Sequence, residues 1–375
     1  MQKITLEGEE KMEFDLASVA AGFVLDGEFV SAERFGTGHI NDTFKMHTTR
    51  QCYILQRINT SIFKQPELLM DNFVRVCSHI ESKIAAEKKV DPACRRRSLQ
   101  VMRGRDGAPF YRDENNNFWR CYIYVDNART YDILETPAQA YAAAAAFGNF
   151  QLDLADLPGR LNETIADFHH TPKRLAALEA ALKADVKNRA KEVAPELDYI
   201  FSCKDEYSLL IDGMNNGELF ERTTHNDTKL NNVLIDDETG SGICVIDLDT
   251  VMPGLPHYDF GDMVRTGTSP AAEDELDLSK VGMRFEMFEA LLRGFLSSAG
   301  KFLNPREKEL LPFSGKLITL EIGIRFLTDY LAGDVYFKIH REKHNLDRCR
   351  TQIKLAQSIQ SQLPQMQKLL DSLSC

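Results

Sequence analysis

The sequence predicts an α+β fold in two parts, a small antiparallel sheet with one helix followed by a larger, mainly helical region. Strand-forming residues alternating with a period of two concentrate in the first third of the chain, whereas helical apolar spacing dominates the rest. A short polar stretch, Asp126-Asn127-Ala128-Arg129-Thr130, separates the two patterns. It sets the expected boundaries at 1–126 for the first part, 127–132 for a hinge and 133–375 for the second.

Residues 28–35, 43–48 and 52–58 read as three strands in hairpin order, with a turn at Thr49-Arg50-Gln51. Pro66 opens a segment in which Leu68, Leu69, Phe73, Val74, Cys77 and Ile80 recur at helical spacing. Residues 98–102 and 118–125 supply two more strands, which makes the first part a five-stranded sheet with one helix. Pro137 then starts a long helix to about Leu154, whose alanine run at 142–146 fits helix propensity and close helix packing. Further helices are expected at 172–193 and 196–214, a strand pair at 232–235 and 243–248, and helices to the end. Leu355, Ile359, Leu363, Met366 and Leu370 form the packing stripe of the last one.

Composition narrows the function. Of 375 residues 45 are Lys or Arg and 56 are Asp or Glu, so the net charge of −11 repels polyanions and argues against a nucleic-acid partner. The first residues lack the apolar core of a secretory signal, and the apolar run at 140–147 is too short for a bilayer, so no membrane partner is expected. The eight cysteines form no CxxC pair or Cys/His cluster, which fits reduced thiols in a cytoplasmic protein.

Chemistry concentrates at Thr224–Ile235, which has the form HxDxxxxN followed by an apolar strand, with Val245-Ile246-Asp247-Leu248-Asp249 downstream. This is the phosphoryl-transfer pattern in which one Asp faces the acceptor hydroxyl while an Asn and a second Asp hold magnesium on the nucleotide phosphates. Asp227 is the expected base. A hairpin returning to Asp247 would bring a hard oxygen ligand beside Asn232, as a Mg²⁺ site requires. Asp249 can be read as a second magnesium ligand or as a solvated carboxylate. The Asp259-Phe260-Gly261 triplet spells a kinase magnesium motif but lies farther on, and is read as a helix start whose Asp259 braces the catalytic loop.

With these residues the chain resembles the aminoglycoside phosphotransferase and choline kinase-like family, over nearly its whole length. The resemblance implies a bilobal protein-kinase-like fold and use of ATP and Mg²⁺. The turn Phe35-Gly36-Thr37-Gly38-His39-Ile40-Asn41 looks like the family's glycine-containing turn, with Gly36, Gly38 and Asn41 approaching the phosphates. The third strand, Tyr53-Ile54-Leu55-Gln56-Arg57, departs from the kinase pattern because it carries no lysine. Alternation puts Leu55 and Arg57 on one face, Leu55 to underlie the adenine and Arg57 to reach the phosphates, with a carboxylate partner at Glu67 or Asp71.

Several stretches, among them Glu163–His169, Asp247–Gly254 and Arg325–Phe337, look closer to the N-acetylhexosamine 1-kinase branch. That resemblance implies phosphorylation of the anomeric hydroxyl of GlcNAc or GalNAc, with Arg325 and Tyr336 as sugar contacts. An anomeric hydroxyl is acidic enough for a carboxylate of ordinary pKa to take its proton. The alternatives are a kinase of an aminoglycoside, choline or homoserine, and a nucleotide-binding pseudokinase. The oligomeric state stays open, with a monomer favoured. Arg95-Arg96-Arg97 reads as a solvated cluster and His169-His170 as a loop or helix-cap pair.

Overall fold

The computed structural model describes residues 14–36, 40–87 and 96–373. Two compact units emerge, the residues up to Met70 with Gln100–Tyr124, and Asp71–Leu99 with those from Val125 onward.

In the first unit five antiparallel strands lie in the order β1-β2-β3-β5-β4: β1 Phe29–Arg34, β2 Asp42–Thr48, β3 Cys52–Arg57, β4 Tyr111–Arg112 and β5 Phe118–Ile123. One strand differs from expectation. Residues 98–102 make only a single bridge, Val101 to Tyr122, and the edge strand is instead the two-residue β4. A short helix that the alternation did not reveal, α1 (Leu16–Ala21), is capped by Asp15, whose Oδ1 accepts the Ser18 N–H at 3.0 Å. It packs Val19 and Ala20 into a core with Phe23, Phe44, Met46, Tyr53, Leu55, Trp119 and Cys121. Burial of these side chains anchors one face of the sheet.

Helix α2 (Pro66–Ala86) begins where expected. Beyond its first turn it groups with the second unit, although the expected boundary placed it with the first. The contacts explain the grouping: Asn72 Nδ2 donates to the carbonyls of Asn162 at 2.8 Å and Val251 at 3.1 Å, and Arg75 Nη2 donates to Pro158 O at 2.8 Å.

The second unit is built on helices α3 (Pro137–Asp153), α4 (Thr171–Ala184), α5 (Ala194–Ser202), α6 (Leu209–Asn215), α7 (Pro256–Gly267), α8 (Phe285–Ala299), α9 (Pro305–Glu309), α10 (Leu311–Ala332) and α11 (His344–Leu373). The alanine run does allow close packing, and glycines complete it. A Cβ at Gly148 of α3 would sit 2.6 Å from Phe295 O of α8, and one at Gly294 of α8 would sit 2.4 Å from Tyr141 O of α3. Only hydrogen fits at either crossing. α10 is the central helix, buried from Leu311 to Leu331 apart from a few positions, and α11 lays Leu355, Ile359, Met366 and Leu370 inward.

Short strands finish this unit. β6 (Ala128–Arg129), β8 (Val233–Asp236) and β9 (Gly242–Val245) form one antiparallel sheet, and β7 (Arg222–Thr224) pairs with β10 (Met252–Gly254). Among the described residues no helix is long and apolar enough to cross a membrane. The described cysteines are free thiols, all buried except Cys52. Of the basic cluster Arg95 lies outside the described residues, and Arg96 and Arg97 are only partly exposed and ion-paired, Arg96 with Asp236 at 2.7 Å, and Arg97 with Asp153 at 3.0 Å and Glu87 at 2.5 Å.

Candidate active site

The loop between β7 and β8 carries His225, Asn226, Asp227 and Asn232, and its backbone is held from several sides. His225 is fully buried against the rings of Phe147 and Phe150. Its Nε2 lies 2.9 Å from Ile246 O and its Nδ1 lies 3.3 Å from the Asp227 N–H. One tautomer satisfies both, with Nε2–H donating and Nδ1 accepting. Asn226 stands at φ +65, a left-handed conformation that asparagine tolerates best among side-chain-bearing residues. Its side chain closes the turn, Oδ1 accepting from Thr224 Oγ1 at 2.9 Å and Nδ2 donating to Thr250 O at 2.9 Å.

Asp259 braces this loop, as the sequence suggested. It lies in the first turn of α7, where Oδ2 accepts the His225 N–H at 2.9 Å and Oδ1 the Asn226 N–H at 2.7 Å. Gln151 Nε2 adds a third donor at 2.6 Å, and Thr228 Oγ1 donates to Asp259 O at 2.6 Å.

Asp227 itself is 26 % exposed at its side chain, enough to face a reactant. Burial opposes its charge, but the Lys229 ammonium at 3.1 Å and the more distant Arg265 outweigh that and hold its carboxyl below the ordinary range. Asn232 Nδ2 donates to Asp227 O at 2.8 Å, which orients the amide and leaves Oδ1 as its remaining polar atom. The hairpin returns as expected: Val233 pairs with Val245, and Ile246 N donates to Asn232 O at 2.9 Å. Asp247 therefore follows directly on the residue beside Asn232. It is exposed and left-handed, at φ +57.

An amide oxygen and an exposed carboxylate at one end of a hairpin are donors of the right hardness for Mg²⁺, which takes few protein ligands when phosphates supply the rest. The described residues contain no group of three or more His, Cys, Asp or Glu side chains that could bind a metal by themselves. Asp249 is not the solvated strand carboxylate of one reading. β9 ends at Val245, Leu248–Thr250 is a 3-10 turn, and Asp249 is buried rather than solvated.

In the first unit, Gly36 follows β1 at φ +78, and a Cβ there would meet open space, so conformation rather than crowding calls for glycine. Gly38 lies outside the described residues. Asn41 Oδ1 accepts the Asn59 N–H at 3.0 Å and ties the turn to the end of β3. Arg57 pairs with neither Glu67 nor Asp71. Its cross-strand neighbour Asp42 takes both Nε at 2.9 Å and Nη2 at 2.5 Å on one oxygen, and the guanidinium lies 5.1 Å from the Phe14 ring centroid. Glu67 pairs with Arg112 at 3.0 Å, and Asp71 with Arg75 at 3.5 Å. Leu55 is wholly buried in the core beside α1 and leaves no apolar surface free for a base. On the opposite face Gln56 Oε1 accepts from Arg120 Nε at 2.8 Å and Tyr122 Oη at 3.2 Å, a polar cluster whose only trace in the sequence is the alternation that puts Gln56 opposite Arg57.

Arg325 and Tyr336 come near one another, but not on one helix. α10 ends at Ala332, and Tyr336 stands 63 % exposed on the following loop. Asp329, buried in α10, shapes that loop: Oδ1 accepts the N–H groups of Val335 at 2.9 Å and Tyr336 at 2.8 Å, and Oδ2 that of Phe337 at 2.9 Å. The Arg325 guanidinium lies 5.5 Å from the Phe168 ring centroid and 5.6 Å from that of Phe337, against which Tyr336 packs edge-on at 4.8 Å. Arg174 is close enough that burial and the Arg325 charge lower its pKa. His170 caps α4 as expected, its Nδ1 accepting the Lys173 N–H at 3.4 Å.

Comparison with known proteins places this geometry in context. The sequence profile described as "Phosphotransferase enzyme family" matches residues 31–281. Among solved structures, an aminoglycoside phosphotransferase from Alicyclobacillus acidocaldarius is similar at a TM-score of 0.64 and 12% identity, covering 95% of this chain and 96% of its own. A microcompartment-associated aminopropanol kinase is similar at 0.56 and 15% identity, over 94% and 98%. A spectinomycin phosphotransferase in complex with ADP and spectinomycin reaches 0.52 at 10% identity, over 93% and 98%. At such identities the likeness is one of fold, the protein-kinase-like α+β fold with a five-stranded antiparallel sheet and a helical C-terminal region.

Proposed function

Because this chain belongs to the phosphotransferase enzyme family, a family of kinases that phosphorylate small alcohols, we propose that it transfers the γ-phosphoryl group of ATP to the anomeric hydroxyl of an N-acetylhexosamine. The observation that carries the chemistry is Asp227: partly exposed, kept ionised by Lys229, and held through its backbone by His225 and Asn232. In this reading Asp227 orients the 1-hydroxyl and takes its proton as the new O–P bond forms. The bond from the γ-phosphorus to the bridging oxygen breaks, and ADP leaves. Mg²⁺, held by Asn232 and Asp247, would neutralise charge on the phosphate oxygens. The turn with Gly36, Gly38 and Asn41 is assigned to the phosphates through its backbone. Arg57 is assigned to them as the cation of β3, in exchange for its Asp42 partner.

The acceptor assignment rests on Arg325 and Tyr336. In this reading a cationic acceptor such as choline or an aminoglycoside would be repelled by the guanidiniums of Arg325 and Arg174, which stand close to one another. Here Arg325 itself lies near the Phe168 and Phe337 rings. A neutral sugar suits that wall, since guanidinium N–H groups and a phenol can hydrogen-bond its hydroxyls and acetamido oxygen.

The test is ADP release with Mg-ATP across GlcNAc, GalNAc, glucose, galactose, choline, aminopropanol and kanamycin, with the 1-O-methyl glycoside of any active sugar. Turnover of an N-acetylhexosamine that disappears for its methyl glycoside is expected. Turnover only with an amino alcohol or an aminoglycoside would overturn the sugar assignment and keep Asp227.

A further inference from the structure

We infer that His169 and Glu321 form a buried ion pair that positions the catalytic loop, holding the carbonyl of Asn226 and through it the residue that bears the base. The inference rests on the assignment of Asp227 as that base. His169 Nδ1 lies 2.8 Å from Glu321 Oε1, and its Nε2 lies 3.0 Å from Asn226 O. A carboxylate and a carbonyl only accept, so both ring nitrogens must donate, and a neutral imidazole has only one N–H. With Glu321 ionised, as its lowered pKa has it, the ring is an imidazolium. Its charge is matched by Glu321, whose second oxygen accepts from Thr171 Oγ1 at 2.6 Å. Both side chains are almost wholly removed from solvent, 3 % and 0 % exposed. A buried ion pair is weak evidence for stability alone, because desolvation offsets much of its attraction. Its directional value is clearer, since it clamps one backbone carbonyl.

That carbonyl belongs to the left-handed residue just before Asp227, whose N–H is held by Asp259 on α7. The two faces of one peptide-bearing residue are thus fixed from two helices, α7 through Asp259 and α10 through Glu321 and His169. Glu321 also lies one helical turn before Arg325 on α10, so the helix that carries the proposed sugar contact is tied to the loop that carries the base. Other groups facing the pair are Tyr258, whose ring lies 5.0 Å from that of His169, and the charged Asp262, Arg325 and Arg174.

The test compares wild type with His169→Ala, His169→Gln, Glu321→Gln and Thr171→Val. Hydrogen exchange of the amides in 224–232 is the readout that needs no acceptor. Glu321→Gln is expected to speed exchange there at least tenfold while α3 and α8 keep their protection. With Mg-ATP and the acceptor that wild type uses, His169→Ala and Glu321→Gln are expected to lower kcat at least tenfold with the KM for Mg-ATP within twofold. His169→Gln, which restores one donor toward Asn226 O, should recover part of the loss. Unchanged exchange in 224–232, or faster exchange spread evenly over the whole second unit, would overturn the positioning role. Should His169→Ala fail to fold, Glu321→Gln and Thr171→Val decide the matter on the same readouts. Full turnover in Asp227→Asn would overturn the base assignment instead, and the exchange result would still stand or fall by itself.

Discussion

Asp259 Oδ1 accepts the backbone N–H of Asn226 at 2.7 Å, so a helix carboxylate fixes the residue that stands immediately before Asp227. The same carboxylate takes the His225 N–H, and the loop's two adjacent amides are thereby satisfied out of reach of water. Replacing Asp259 by Ala strands both donors. The expected cost is about 3 kcal/mol of unfolding free energy, read as a lowered urea midpoint. Loss of under about 0.5 kcal/mol would show that the brace is not needed to hold the loop.

Glycine at the α3–α8 crossing is a packing requirement. Gly294→Ala would drive a methyl into Tyr141 O, and destabilisation of about 2 kcal/mol is expected, measured by thermal or urea unfolding. A neutral substitution would mean that the two helices separate more easily than their contacts imply.

Stability should depend on pH through His169 and Glu321. Burial opposes the charge of His169, but Glu321 outweighs it and raises its pKa above the ordinary 6.5; burial opposes Glu321 likewise, and His169 holds it below the ordinary 4.5. A raised histidine contributes fully below its unfolded value and loses that contribution as pH rises through the folded one. A depressed carboxylate contributes above its unfolded value and loses it as pH falls. The pair therefore contributes most between the two ordinary values. Urea unfolding of wild type and Glu321→Gln is expected to show a larger difference at pH 5.5 than at pH 9, and an equal difference at both would contradict a charged pair.

The loop that displays Tyr336 hangs on Asp329. Asp329→Ala removes the acceptor of three backbone N–H groups, with an expected loss of about 2 kcal/mol. The KM for the sugar should rise more than that for Mg-ATP, as steady-state kinetics would show. An unchanged sugar KM would separate this loop from the acceptor.

What could be read from the sequence was what is local. The hairpin that returns to Asp247 follows from spacing along one segment, and Asp259 was recognisable as a brace because it lies farther from Asp227 than Asp247, which was read as the end of an apolar strand. Readings that depend on register or on distant contacts went astray. β4 has only two residues, too few for alternation to register, while 98–102 has the alternation without the ladder. Arg57 finds Asp42 because β2 and β3 pair those two positions, which no local pattern announces. His169 looked like half of a cap pair, and its partner Glu321 lies on a helix far along the chain.

Replacing Asp227, the proposed base, separates catalysis from nucleotide binding. Asp227→Asn keeps the size of the side chain and removes its ability to take a proton. ADP release with saturating Mg-ATP and GlcNAc should fall by about a thousandfold or more, while Mg-ATP binding measured by calorimetry stays within a few-fold of wild type. Wild-type turnover in Asp227→Asn would show that Asp227 is not the base.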